Sequence, residues 1–224
     1  MKTLYYVPVI HSEADFGRLG PALADALRGR SGRGRWEQHH AAVEGFWRSV
    51  EDYLLALEPP HLKVYQDGLP AGDSEGRRVI EEAARRGSRN HQLVLRLLDR
   101  GAVLMKTEEP ALLIEEYERL ARLAQGGPPA EAASPAPPQE RLTSARDHAI
   151  ASNIAATLQE SETAVLFLGA AHDVSALLPP AITVRPVKER RQVLEYFHEL
   201  LSGRDDERFA ALARELAAPV LPQR

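Results

Sequence analysis

Five short runs of Val, Ile and Leu recur along this chain, separated by stretches with helical spacing, and that alternation leaves few folds open. The runs cover residues 4–10 (LYYVPVI), 62–65 (LKVY), 102–105 (AVLM), 164–169 (AVLFLG) and 182–187 (ITVRPV). They are almost wholly apolar. That suits strands covered on both faces, as in a parallel sheet, better than strands with one wet face.

The intervening segments carry helix signatures. Over residues 36–57, Trp36, His40, Val43, Trp47, Val50, Leu54 and Leu57 fall on one stripe at three-and-four spacing. Segments 74–86 and 88–100 each open on a serine able to cap a helix, and Gly87 and Gly101 supply their stops. Pro110 suits the first position of a helix running to residue 125. Helices are also predicted over 139–159, 189–201 and 206–217. Read as β-α-α-β-α-α-β-α-β-α-β-α-α, the chain is predicted to be an α/β protein. It should have a mostly parallel central sheet of about five strands, with helices on both faces because parallel crossovers are right-handed. Residues 1–224 read as a single domain. The tract at 126–138 (GGPPAEAASPAPP) is a Pro/Ala/Gly-rich loop inside a crossover and not a boundary, since neither flank holds a complete sheet.

Composition narrows the partners. The 28 basic and 32 acidic residues give a formal charge of −4, so neither nucleic acid nor an anionic membrane is expected to bind. With no cysteine, disulfides, thiolate metal sites and cysteine nucleophiles are excluded together, and any metal must be held by histidine and carboxylate. The first apolar run is seven residues with a proline inside. A membrane span needs roughly 20 residues and a signal peptide needs a longer apolar core, so a cytoplasmic protein is the expectation.

In an open parallel sheet, ligands bind outside the carboxyl ends of the strands. His11, Ser12, Glu13 and Asp15 follow the first run, Asp67 and Gly68 the second, Glu108 and Glu109 the third, and Gly169-Ala170-Ala171-His172-Asp173 the fourth. Crossover helices start at the same edge, which brings in Ser88-Arg89-Asn90-His91 and, two turns into the helix before the fourth strand, Arg146 and Asp147. Most of these have ordinary explanations. Ser12, Glu13 and Asp15 have helix-cap spacing, Glu108 and Glu109 precede a helix-starting proline, and Asp67-Gly68 is a turn signal. Arg89 and His91 read as surface residues at a helix start. His11 and His172 differ, because each directly follows one of the two best strands, where a histidine has no capping or propensity role. Imidazole is both a metal ligand and a base that titrates near neutral pH, so two of them brought together suggest a reacting centre.

Residues 146–172 (RDHAIASNIAATLQESETAVLFLGAAH) resemble part of the TraB/TIKI and erythromycin-esterase/ChaN-like superfamily. There a helix opening on an Arg-Asn or Arg-Asp pair precedes a strand ending Gly-x-x-His. Gly169-Ala170-Ala171-His172 fits that ending, and Pro8-Val9-Ile10-His11 takes the place of the family's first-strand motif with proline for glycine. Asp67 is the nearest match to the acidic residue after the second strand. The resemblance covers 27 residues closely and the first strand more loosely. It implies one of three activities: a metal-dependent protease, an esterase with general-base histidines, or a haem binder.

The expectation is therefore a hydrolase of a small-molecule or peptide substrate. His11, His172, Glu13 and Asp67 would hold a divalent ion (Mn, Co or Zn), or the histidines would activate water directly with Asp67. Arg146 would stabilise an oxyanion or grip an anionic substrate end. The alternative is a non-enzymatic binder of haem or a small anion. A further reading has the aromatic helix (Trp36, Phe46, Trp47, Tyr53) packing against a second copy in a homodimer.

Overall fold

The structure is a computed structural model. It describes residues 1–10, 15, 21, 24–25, 28–29, 32–57, 61–124, 138–202 and 205–221. Its strands are β1 (Lys2–Val9), β2 (Leu62–Gln66), β3 (Val103–Met105), β4 (Thr163–Gly169) and β5 (Ile182–Pro186). They form one sheet in the order β3-β2-β4-β1-β5, with every pairing parallel. The described helices are α1 (Arg33–Leu55), α2 (Asp73–Arg85), α3 (Arg89–Asp99), α4 (Pro110–Ala124), α5 (Pro138–Thr157), α6 (Arg190–Ser202) and α7 (Asp206–Ala217). The expected α/β class and parallel sheet are present. One detail of the expected order is corrected. Two helices, α4 and α5, join β3 to β4, whereas β4 reaches β5 through a single 3-10 turn at Ser175–Leu177.

Strand residues alternate between two layers of core. Val7, Val9, Val64, Val165 and Phe167 face one layer, with buried residues of α1, α2, α3, α6 and α7. Leu4, Tyr6, Tyr65, Ala164, Leu166 and Leu168 face the other, with Ile150, Ile154 and Leu158 at α5 and Val174 and Leu178 around the 3-10 turn. Right-handed crossovers explain this split. The chain moves in one direction along the sheet from β1 to β2 to β3 and in the reverse direction from β3 to β4 to β5, which puts the two sets of connections on opposite faces. Consequently β4 leaves toward the α5 face while both its neighbours, β2 and β1, leave toward the other. The carboxyl end of β4 is therefore a switch point, where the diverging connections open a crevice.

Of the two predicted serine caps one holds: α2 starts at Asp73 after Gly72, which leaves Ser74 inside the helix without a capping bond. Ser88 accepts a hydrogen bond from the His91 amide at the start of α3. Gly87 and Gly101 lie just past α2 and α3 with φ of 100° and 95°, the left-handed conformation that closes a helix.

The stripe on α1 needs a correction at its first turn. Val43, Trp47, Val50 and Leu54 are buried, but Arg35 and His39 are buried in place of Trp36 and His40. The cause is tertiary. Arg35 is drawn inward to Asp206 (2.7 Å), the Glu199 carbonyl (2.6 Å) and the Phe209 ring, and His39 bonds the Tyr196 hydroxyl at 2.8 Å. Phe46 and Trp47 are fully inside the chain's own core, so α1 does not present them to a second copy.

Burial, with a smaller effect from His40, lowers the pKa of His39 from 6.5 to about 4. Below pH 6.5 the unfolded chain takes up a proton that the folded chain refuses, so this contribution to stability is present above 6.5 and is lost on the way down to 4. Urea unfolding is expected to show about 2 kcal/mol less stability at pH 5 than at pH 7 from this residue. The drop should flatten in His39→Gln, and an equal drop in the variant would contradict the assignment.

Candidate functional site

The carboxyl ends of β2, β3 and β4 are tied together by one buried ion cluster built from residues far apart in the chain. Asp67 continues β2, its amide bonding the Phe167 carbonyl at 2.8 Å. Its Oδ2 accepts from the Gly169 amide at 2.8 Å, which joins the ends of β2 and β4. Glu108 follows β3, is wholly buried, and accepts from the Gly68 amide at 2.9 Å.

Between the two carboxylates lies Arg146 of α5. Its Nε and Nη2 each donate to Glu108 at 2.6 Å, and Nη2 also donates to Asp67 Oδ1 at 2.8 Å. This fork-to-fork geometry is the strongest form of the pair. Burial disfavours the charge on Arg146, but the hydrogen bonds to Glu108 and the charges of Asp67, Glu108 and Glu116 more than offset it, so its pKa is raised. Burial raises the pKa of Glu108. The Arg146 hydrogen bond only partly opposes that, and the Asp67 charge adds to it.

One residue further along α5, Asp147 turns to β4. Its Oδ1 lies 2.6 Å from His172 Nδ1, and its Oδ2 accepts from the Asp173 amide at 3.1 Å. A carboxylate only accepts, so the imidazole proton is assigned to Nδ1 and the Nε2 lone pair faces away. Nε2 has no hydrogen-bond partner among the described residues, and it is not one of the buried atoms closed off from solvent. The turn bearing His172 is held on every side. His172 N donates to the Gly169 carbonyl at 2.9 Å, and Tyr6 donates its hydroxyl proton to the His172 carbonyl at 3.4 Å. Arg190 bonds the Ala170 carbonyl at 2.9 Å and the Asp173 carboxylate at 3.1 Å.

The structure thus brings Asp67, Arg146 and His172 to one edge. His11 and Glu13 lie outside the described residues, so the pairing of the two histidines is not part of this geometry. Glu108 is corrected from a cap residue to the buried partner of Arg146, while the backbone of Glu109 starts α4 by accepting from Leu112 and Leu113. No local pattern could reveal the role of Glu108, because its partner is 38 residues away. Asp147 was visible only as the neighbour of Arg146, and its bond to a histidine 25 residues later is decided by packing.

The donor set does not by itself make a metal centre. Asp67 spends one oxygen on Arg146 and the other on the Gly169 amide. Among the described residues no group of three His, Asp or Glu side chains is placed to hold an ion.

Fold and site together define an open parallel α/β protein with a carboxylate-anchored histidine at the switch point of its sheet. No family model, no curated protein and no solved structure matches the chain. Among the described residues no helix is long and apolar enough to cross a membrane.

Proposed function

We propose that this protein is a hydrolase in which His172 is the general base. The observation that carries the reading is the Asp147 carboxylate 2.6 Å from His172 Nδ1, at the edge where such sheets bind ligands. Asp147 fixes the ring and its tautomer. Nε2 is then free to take a proton from a water molecule as that water attacks an ester or amide carbonyl, and the imidazolium formed is stabilised by Asp147. The resemblance of residues 146–172 to the esterase-like group supports the same role for His172.

Arg146 is a positioning residue in this reading. Its fork is engaged by Glu108 and Asp67, and through Asp67 it secures Gly169 at the base of the histidine turn. The substrate in this reading is a small molecule or peptide that carries an ester or amide carbonyl. No step is assigned to a metal.

The test is hydrolysis of p-nitrophenyl acetate, butyrate and phosphate by the native chain and by His172→Gln. The variant is expected to lose about 10²–10⁴ in kcat while its unfolding midpoint stays in place. Full turnover by the variant, or no turnover of any of these probes by the native chain, ends the reading.

A further inference from the structure

On the face of the sheet opposite α5 lies α3, packed in the core layer of α1 and α2. Ser88, its cap, is completely buried and joins two titratable side chains. Its hydroxyl donates to Asp15, and its oxygen lies 2.7 Å from His91 Nδ1. Asp15 can only accept, so the Ser88 proton goes to it and the His91 Nδ1–H donates to Ser88. The chain Asp15–Ser88–His91 therefore fixes the tautomer of His91 much as Asp147 fixes that of His172. The Nε2 of His91 is left with no partner among the described residues, and it is not closed off from solvent.

Asn90, between these two residues in the same turn, points to a ligand. It is 1% exposed, and both its Nδ2 and its Oδ1 lack a hydrogen-bond partner among the described residues. Gln66, at the end of β2, is equally buried and its Oε1 is likewise unpartnered. Strand alternation turns Gln66 to the side of Val64, the side covered by α3. Buried amide groups almost always find partners, and one that does not calls for an explanation, such as a bound ligand.

We infer that the start of α3 is a second ligand subsite that takes an uncharged amide group. Asn90 supplies the adjacent donor and acceptor with which such a group pairs. A primary carboxamide has the matching arrangement, one N–H on the same side as its C=O. An anion does not fit as well, because a carboxylate has no donor to offer the Asn90 carbonyl oxygen. In one respect the inference rests on the hydrolase reading: if that reading holds, the substrate bears an amide.

The experiment follows the side-chain amide signal of Asn90 and the ring signals of His91 by NMR. Acetamide is added to the native chain, to His172→Gln and to Asn90→Leu, with sodium acetate as the anionic comparison. Saturable shifts are expected in the first two proteins, with binding about 10–100-fold weaker in Asn90→Leu and weaker for acetate. The Asn90→Leu chain should also be at least as stable as the native one, since it removes groups that lack partners. Absent or non-saturating shifts, undiminished affinity in Asn90→Leu, or stronger binding of acetate would each overturn the inference. So would a clear loss of stability in Asn90→Leu, which would show that the amide is satisfied inside the protein. Because His172→Gln is one of the proteins titrated, binding is read separately from hydrolysis, and failure of the hydrolase reading leaves this outcome standing or falling by itself.

Discussion

An Arg146→Met variant is expected to lose about 3–5 kcal/mol of folding stability, close to the whole margin of many domains of this size. The substitution leaves Glu108 wholly buried with only the Gly68 amide in place of a bidentate guanidinium, and a carboxylate so placed has lost most of what offset its dehydration. Two further readings separate this cause from simple loss of packing. The first is pH. Burial already raises the Glu108 pKa, and Arg146 is the main group opposing that, so the variant raises it further. For an acid with a raised folded-state pKa, the stabilising contribution is present below the ordinary carboxylate range and is lost as pH rises through the folded value. The deficit of the variant should therefore shrink as pH falls from neutral toward about 4–5. The second is the pair Arg146→Met with Glu108→Leu, which is expected to recover about half the loss, because an apolar pair of similar volume costs less than one stranded charge. Chemical unfolding measures all three chains, and a pH-independent deficit would refute the assignment.

Asp147→Asn is expected to lower hydrolysis about 10³–10⁴-fold while changing stability by only about 1 kcal/mol. The direction follows from the second hydrogen bond of Asp147. Its Oδ2 accepts from the Asp173 amide, so an asparagine must keep its carbonyl oxygen there and turn its NH₂ toward His172 Nδ1. That donor requires a lone pair on Nδ1, which moves the imidazole proton to Nε2 and removes the base. The Nδ1–H resonance of His172 in the native chain, far downfield beside a carboxylate, should vanish in the variant, giving a readout that needs no substrate. A variant that kept this signal and its turnover would show that Asp147 is not the group that sets the tautomer.

How much of this was legible beforehand differs between the fold and the site. The strand runs gave the parallel sheet, since β1 and β4 are apolar at nearly every position, as strands covered on both faces must be. Serine and glycine placed the ends of α2 and α3 to within a residue or two. The first turn of α1 misled, because Arg35 and His39 are polar and turn inward only where α6 and α7 supply Glu199, Tyr196 and Asp206. In the site, the reasoning that ligands collect at strand ends led to His172, Asp67 and Arg146, which the structure brings to one edge of the sheet. It placed Glu108 in the right neighbourhood as a cap residue, and Asp147 there only as the neighbour of Arg146. Asn90 drew no attention, because an asparagine at a helix start is common and its burial is invisible in one dimension.

The sequence by itself determined the class of architecture and the edge at which polar chemistry gathers, because apolar runs, caps and breakers act over a few residues and the crossover hand is a property of L-amino acids. Only the tertiary structure decided the partners: that Arg146 is spent on Glu108 and Asp67, and that Asp147, one residue on, is turned to His172. Which carboxylate meets which cation depends on strand order and on the face each helix covers. Those are set by the packing of the whole core, and no residue carries them alone.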